Sequence, residues 1–198
     1  PSTPLFRSFS LPPDADPPHA AAVWYGAGGD PAAGPAFLHL DPVHLFVTLE
    51  GSHLADPGEL ALRPEEVATL TRLLDRELFA PEGWSLHPVR PDTWVLALPR
   101  EPAITTRPPQ GWIGGDARAG LPEGPAGDEW QRRLNEAQML LAGSSVNGER
   151  EHLGLPPVNS LWAWGGGGLP AAPERRYERV LGGGLAAAGL ARATGSGW

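Results

Sequence analysis

The sequence predicts an α+β protein: a mostly antiparallel sheet with helices packed mainly on one face. Two observations carry this. Apolar strand patterns come in short pairs separated by turn residues, and helical periodicity is confined to isolated segments with no regular β-α-β alternation between them. The 198 residues suit one domain with extensions, and a hydrophobic fraction of 41% supports a buried core. The 26 glycines and 24 prolines fall largely between the periodic segments, so they read as abundant loops on that core. The chain divides into an irregular segment, 1–35, and a single α+β domain, 36–198.

Each element follows from local pattern. Residues 1–35 are rich in proline, alanine and glycine, with a short helix expected over 18–25. Residues 36–40 and 43–49 have strand patterns, broken at Asp41-Pro42. Residues 63–79 form the clearest helix. Pro64 fits its first position, Glu65 and Glu66 complement the N-terminal dipole, and Val67, Leu70, Leu74 and Leu78 share one face. Residues 84–89 and 93–98 make a hairpin around Arg90-Pro91-Asp92, and 101–127 reads as a long loop. A second helix covers 128–142, with Trp130, Leu134, Ala137 and Leu141 facing inward. A short helix over 145–153, a strand over 159–164, a strand or helix start over 177–181 and an alanine-rich helix over 184–194 complete the chain.

Composition excludes several functions. The formal net charge is −8 and no basic stripe is visible, which argues against nucleic acid as a partner. No apolar run is long enough to span a bilayer, and no signal-peptide pattern opens the chain, so a cytoplasmic location without membrane contact is expected. The absence of cysteine removes disulfides, zinc thiolates and thiol nucleophiles. Every basic residue is arginine, so neither Schiff-base chemistry nor a P-loop lysine is available. Neither a G-x-S-x-G elbow nor an H-E-x-x-H helix is present, and no cofactor is expected.

The segment 135–168 concentrates polar chemistry beside aromatics. Asn135, Glu136 and Gln138 lie on the second long helix, Asn147, Arg150 and Glu151 follow, and Asn159 opens a tryptophan-bearing strand. On that strand Ser160, Trp162 and Trp164 point one way, and Gly165, Gly166 and Gly167 supply backbone amides that a ligand can approach closely. These residues are the candidate ligand-binding set, with Arg150 as anchor for a small anion, phosphate or carboxylate. The same set also reads as a satisfied polar network that holds the loop to the strand. A homodimer is a further candidate assembly. His39, Asp41, His44 and His53 are the other polar group. Strand alternation across the proline break points His39 and His44 differently, so exposed strand histidines, not a metal site, are expected.

The residues just described carry a resemblance. NEAQMLL, the later VN and RE, and G-L-P-P-V-N-S-L-W-A-W-G-G-G resemble proteobacterial phosphoglycerate-mutase-like proteins, also called regulatory proteins of the RpfE type. The closing N-S-L-W-x-W-G element is similar to one in archaeal-type cofactor-independent phosphoglycerate mutases. Those mutases imply a two-metal, phosphoserine mechanism. This chain shows neither an Asp-x-x-Gly-His element nor an N-terminal Asp-Gly motif. The resemblance therefore implies the substrate-side part of a mutase without its metal engine, in a regulatory or anion-binding role. Two alternatives stay open: an active phosphomutase or phosphatase on small phosphorylated acids, and a structural protein-interaction module.

Overall fold

The computed structural model describes residues 17–49, 51–169 and 178–198. Its strands are β1 (Ala36–Val43), β2 (Leu45–Thr48), β3 (Gly51–Leu54), β4 (Ser85–Arg90), β5 (Thr93–Leu98) and β6 (Ser160–Gly167). Its helices are α1 (His19–Gly26), α2 (Pro64–Leu74), α3 (Gly127–Ala142), α4 (Ser145–His152) and α5 (Gly184–Thr194). Four strands form one antiparallel sheet in the order β4-β5-β1-β6, and β2 and β3 form a separate two-stranded ribbon. The α+β class expected from the hairpins is what the chain adopts.

Strand alternation sorts the sheet into two faces. Leu38, Leu40, Trp94, Leu96, Leu161 and Ala163 share the main core with Leu70 and Leu74 of α2, Trp130, Leu134 and Leu141 of α3, and Val146 of α4. Phe37, Val95 and Ala97 point to the opposite face, where α1 and α5 cover them. Three helices thus line one face and two alanine-rich ones close part of the other.

Several boundaries differ from the sequence reading for physical reasons. β1 runs through Asp41-Pro42 without a break, because β5 pairs with it no further than His39 while β6 continues to Val43. Pro42 therefore faces one neighbouring strand only, where a missing N–H is tolerated. The first long helix changes to a π turn over Asp75–Phe79, which buries both Leu78 and Phe79, while Asp75 Oδ1 accepts the Leu86 N–H at 2.8 Å. β6 extends through the glycine run to Gly167. Of the N-terminal segment, 1–16 lies outside the described residues, whereas Ala20–Val23 of α1 are buried. The expected element at 177–181 begins outside them; Arg179 makes a single bridge with Gly197.

α1 and α5 pack at unusually close range. A Cβ on Gly189 would collide with the Ala22 carbonyl, and one on Gly26 with the Leu185 carbonyl. Only glycine lets the two backbones meet in this way.

Candidate functional site

The polar residues of 135–168 divide between internal bonding and solvent. Arg150 is 1% exposed and fully engaged. Its Nη1 meets the Glu66 carboxylate at 3.0 and 3.1 Å, Nη2 donates to the Leu60 carbonyl at 2.6 Å and Nε to the Pro156 carbonyl at 2.9 Å. The guanidinium expected to anchor an anion is instead the buried tie between α4 and the first turn of α2. Asn147 Nδ2 donates to Leu141 and Val158 carbonyls, and its Oδ1 accepts the Val158 N–H. Asn159 bonds both backbone groups of Leu45 at 2.7 Å, fixing the ribbon to β6. Both amides are spent on chain architecture.

The rest of the set scatters. Glu136 and Glu151 are exposed. Asn135, Gln138, Ser160 and Trp162 do line one small cavity, of about 240 Å³, where Gln138 donates to Ser160 Oγ at 3.0 Å. Trp162 donates to the Arg107 carbonyl. The glycine run sits elsewhere, at the far end of β6 under α1, so the candidate set does not share this cavity. Gly165, at φ +62°, donates its N–H to Thr106 Oγ1, and a Cβ there would press on His19. The Gly168 N–H is taken by the Glu101 carboxylate. Gly166 packs against Leu38, and Gly167 adopts φ +124°. Gly165 and Gly167 lie against the start of α1.

A different constellation lies on the α1 face. His39 and Asp41, two residues apart on β1, share that face, and Trp164 of β6 joins them. His39 is 0% exposed and Asp41 6%, which corrects the expectation of exposed strand histidines. Asp41 Oδ2 accepts the Trp164 Nε1–H at 2.6 Å, and Oδ1 accepts the Trp94 N–H at 3.1 Å. That second bond replaces the ladder bond lost where β5 leaves β1. His39 stacks on Trp164 with ring centroids 4.3 Å apart and planes 13° apart. From α1, His19 Nδ1 reaches His39 Nε2 at 2.9 Å. Burial, followed by the neighbouring His39, pushes the His19 imidazole down to about 3, so it is neutral at physiological pH. His39 Nδ1 lies 3.5 Å from Asp41 Oδ1 and has no hydrogen-bond partner among the described residues.

These side chains line a cavity of about 450 Å³, and Arg90, Asp92 and Gln110 line it as well. The pairing of His39 with Asp41 was visible in their two-residue spacing once the strand is allowed to continue through Pro42. His19 and Arg90 carried no local signal; tertiary packing alone brings them in.

Among the described residues no group of three or more histidine, aspartate or glutamate side chains is placed to hold a metal ion. The donor set does not fit the paired-metal centre that the resemblance implies. No protein-family model matches the chain. Over 153 residues it is 28% identical to a 2,3-bisphosphoglycerate-independent phosphoglycerate mutase from Methanosarcina barkeri, a stretch covering 76% of this chain and 38% of that protein.

The chain is distantly similar to part of that mutase.

Solved structures agree at the level of fold. A cofactor-independent phosphoglycerate mutase from Thermoplasma acidophilum superposes with a TM-score of 0.56 at 18% identity, covering 100% of this chain and 56% of its own. A Pyrococcus horikoshii protein gives 0.59 at 17% identity, covering 99% and 46%. This chain therefore spans about half, or less, of the length of these three proteins. No helix among the described residues is long and apolar enough to cross a membrane.

Proposed function

We propose that this chain is a phosphoglycerate-mutase-like domain that binds a small acid in the cavity beneath α1, in a regulatory role, and does not by itself turn over phosphoglycerate. The observation that carries this reading is Arg90. It lines the cavity and makes no ion pair among the described residues, while the guanidinium of Arg150 is consumed inside the fold. An arginine beside a partly apolar cavity offers planar, charge-assisted donors to a carboxylate or phosphate. The similarity to part of a mutase supports a mutase-like ligand site, and the poor fit of the donor set to paired metals separates binding from turnover.

Calorimetric titration with glycerate, 3-phosphoglycerate and inorganic phosphate tests the reading. At least one acid is expected to bind, and Arg90→Ala to weaken it about ten-fold or more, a difference of about 1.4 kcal/mol. Unchanged affinity in Arg90→Ala removes the assignment of the anchor. Interconversion of 2- and 3-phosphoglycerate by the purified chain removes the non-catalytic role.

A further inference from the structure

We infer that the cavity beneath α1 is built for a zwitterion, a small amino acid whose carboxylate meets Arg90 and whose ammonium sits at His39 Nδ1 and Asp41. This rests on the reading that Arg90 holds an acidic group, and narrows the ligand from any small acid to one that also carries a positive charge.

Among the described residues, the charged side chains lining the cavity are Arg90, Asp41 and Asp92, and the imidazole of His19 is neutral there. Among these side chains one cation stands against two carboxylates. A phosphate dianion would meet a surplus of negative charge in a confined space, where like charges are poorly screened. A ligand that carries one charge of each sign gives Arg90 a partner and meets the carboxylates with an opposite charge.

His39 Nδ1 is buried and unpartnered among the described residues, with Asp41 Oδ1 3.5 Å away. In the tautomer that donates the His39 Nε2–H to His19 Nδ1, at 2.9 Å, His39 Nδ1 is an acceptor, and a bound ammonium selects that tautomer over the one whose Nδ1–H faces Asp41. Asp41 uses one bond at each oxygen, to the Trp94 N–H and the Trp164 Nε1–H, and a carboxylate can accept about four. In that tautomer two acceptors with spare capacity stand side by side, on two residues that line the cavity. Buried acceptors call for a donor, and an ammonium supplies three without needing an acceptor in return. A hydroxyl supplies one proton only, and a phosphate oxygen would face the Asp41 carboxylate. The volume of about 450 Å³ leaves room for an amino acid.

The test uses isosteres and the intact chain. Serine, glycerate, serinol and inorganic phosphate are titrated calorimetrically at pH 7. Glycerate replaces the ammonium of serine by a hydroxyl, and serinol replaces its carboxylate by a hydroxymethyl group. Serine is expected to bind at least ten-fold more tightly than the other three. His39→Phe, which keeps an aromatic ring on Trp164 but removes the acceptor, is expected to abolish the preference for serine over glycerate. Asp92→Asn, on the exposed turn, is expected to reduce it. Glycerate binding as tightly as serine overturns the zwitterion and leaves the role of Arg90 standing. Serinol binding as tightly as serine overturns the role of Arg90 and the zwitterion with it. A chain that binds none of the four overturns both.

Discussion

Glu66 performs two jobs with one carboxylate. Its Oε2 accepts the Arg63 N–H at 2.7 Å and so caps α2, while both oxygens face Arg150. Burial pushes the Glu66 carboxyl up, but hydrogen bonds from Arg63 and Arg150 outweigh it and hold the group below the usual range. A pair this deep contributes little compared with an apolar replacement of both partners, yet removing one partner strands the other as an uncompensated charge. Arg150→Ala is therefore expected to lower the unfolding free energy by about 3–5 kcal/mol in urea titration. The Glu66→Ala, Arg150→Ala double variant should lose clearly less than the sum of the two single losses. The sequence shows that Arg150 is an arginine near amides. It gives no sign that Glu66, the Leu60 carbonyl and the Pro156 carbonyl wait for it, since two of these three lie more than eighty residues away.

At the level of elements, most of the architecture was legible. The helix around Leu70 and Leu74, the hairpin of β4 and β5, α3, α4 and α5 all follow from periodicity and turn residues. What misled was punctuation. Pro42 looks like a strand break but sits where its strand has one neighbour, and the glycines after Trp164 look like a loop but continue β6 beneath a helix. Their purpose becomes visible only beside α1. The same reasoning makes the α1–α5 contact fragile. Gly189→Val places a branched side chain against the Ala22 carbonyl, so overpacking is expected to cost at least about 1–3 kcal/mol. Differential scanning calorimetry should show a lowered Tm. Because His19 and the cavity wall ride on α1, ligand affinity at Arg90 should fall in the same variant.

Across the whole molecule, the buried His19 imidazole couples stability to pH. His19 titrates at about 3 in the folded chain against an ordinary 6.5, so between these values the unfolded chain takes up a proton that the folded chain refuses. Stability from the neutral, buried ring is complete above about pH 6.5 and is lost as pH falls toward 3. The slope from this one group reaches at most about 1.4 kcal/mol per pH unit. Thermal melts from pH 7 to pH 4 should show a falling Tm, and His19→Phe should flatten that part of the profile; an unchanged profile would place the proton uptake elsewhere. The local pattern of apolar residues and breakers determined the α+β class and nearly every element, because burial of one face is a short-range requirement written at fixed spacing. Only the tertiary structure decided the site. An arginine acts as anchor or as internal tie according to which distant carboxylates and carbonyls reach it. A histidine on an N-terminal helix enters a cavity only when that helix packs across the sheet.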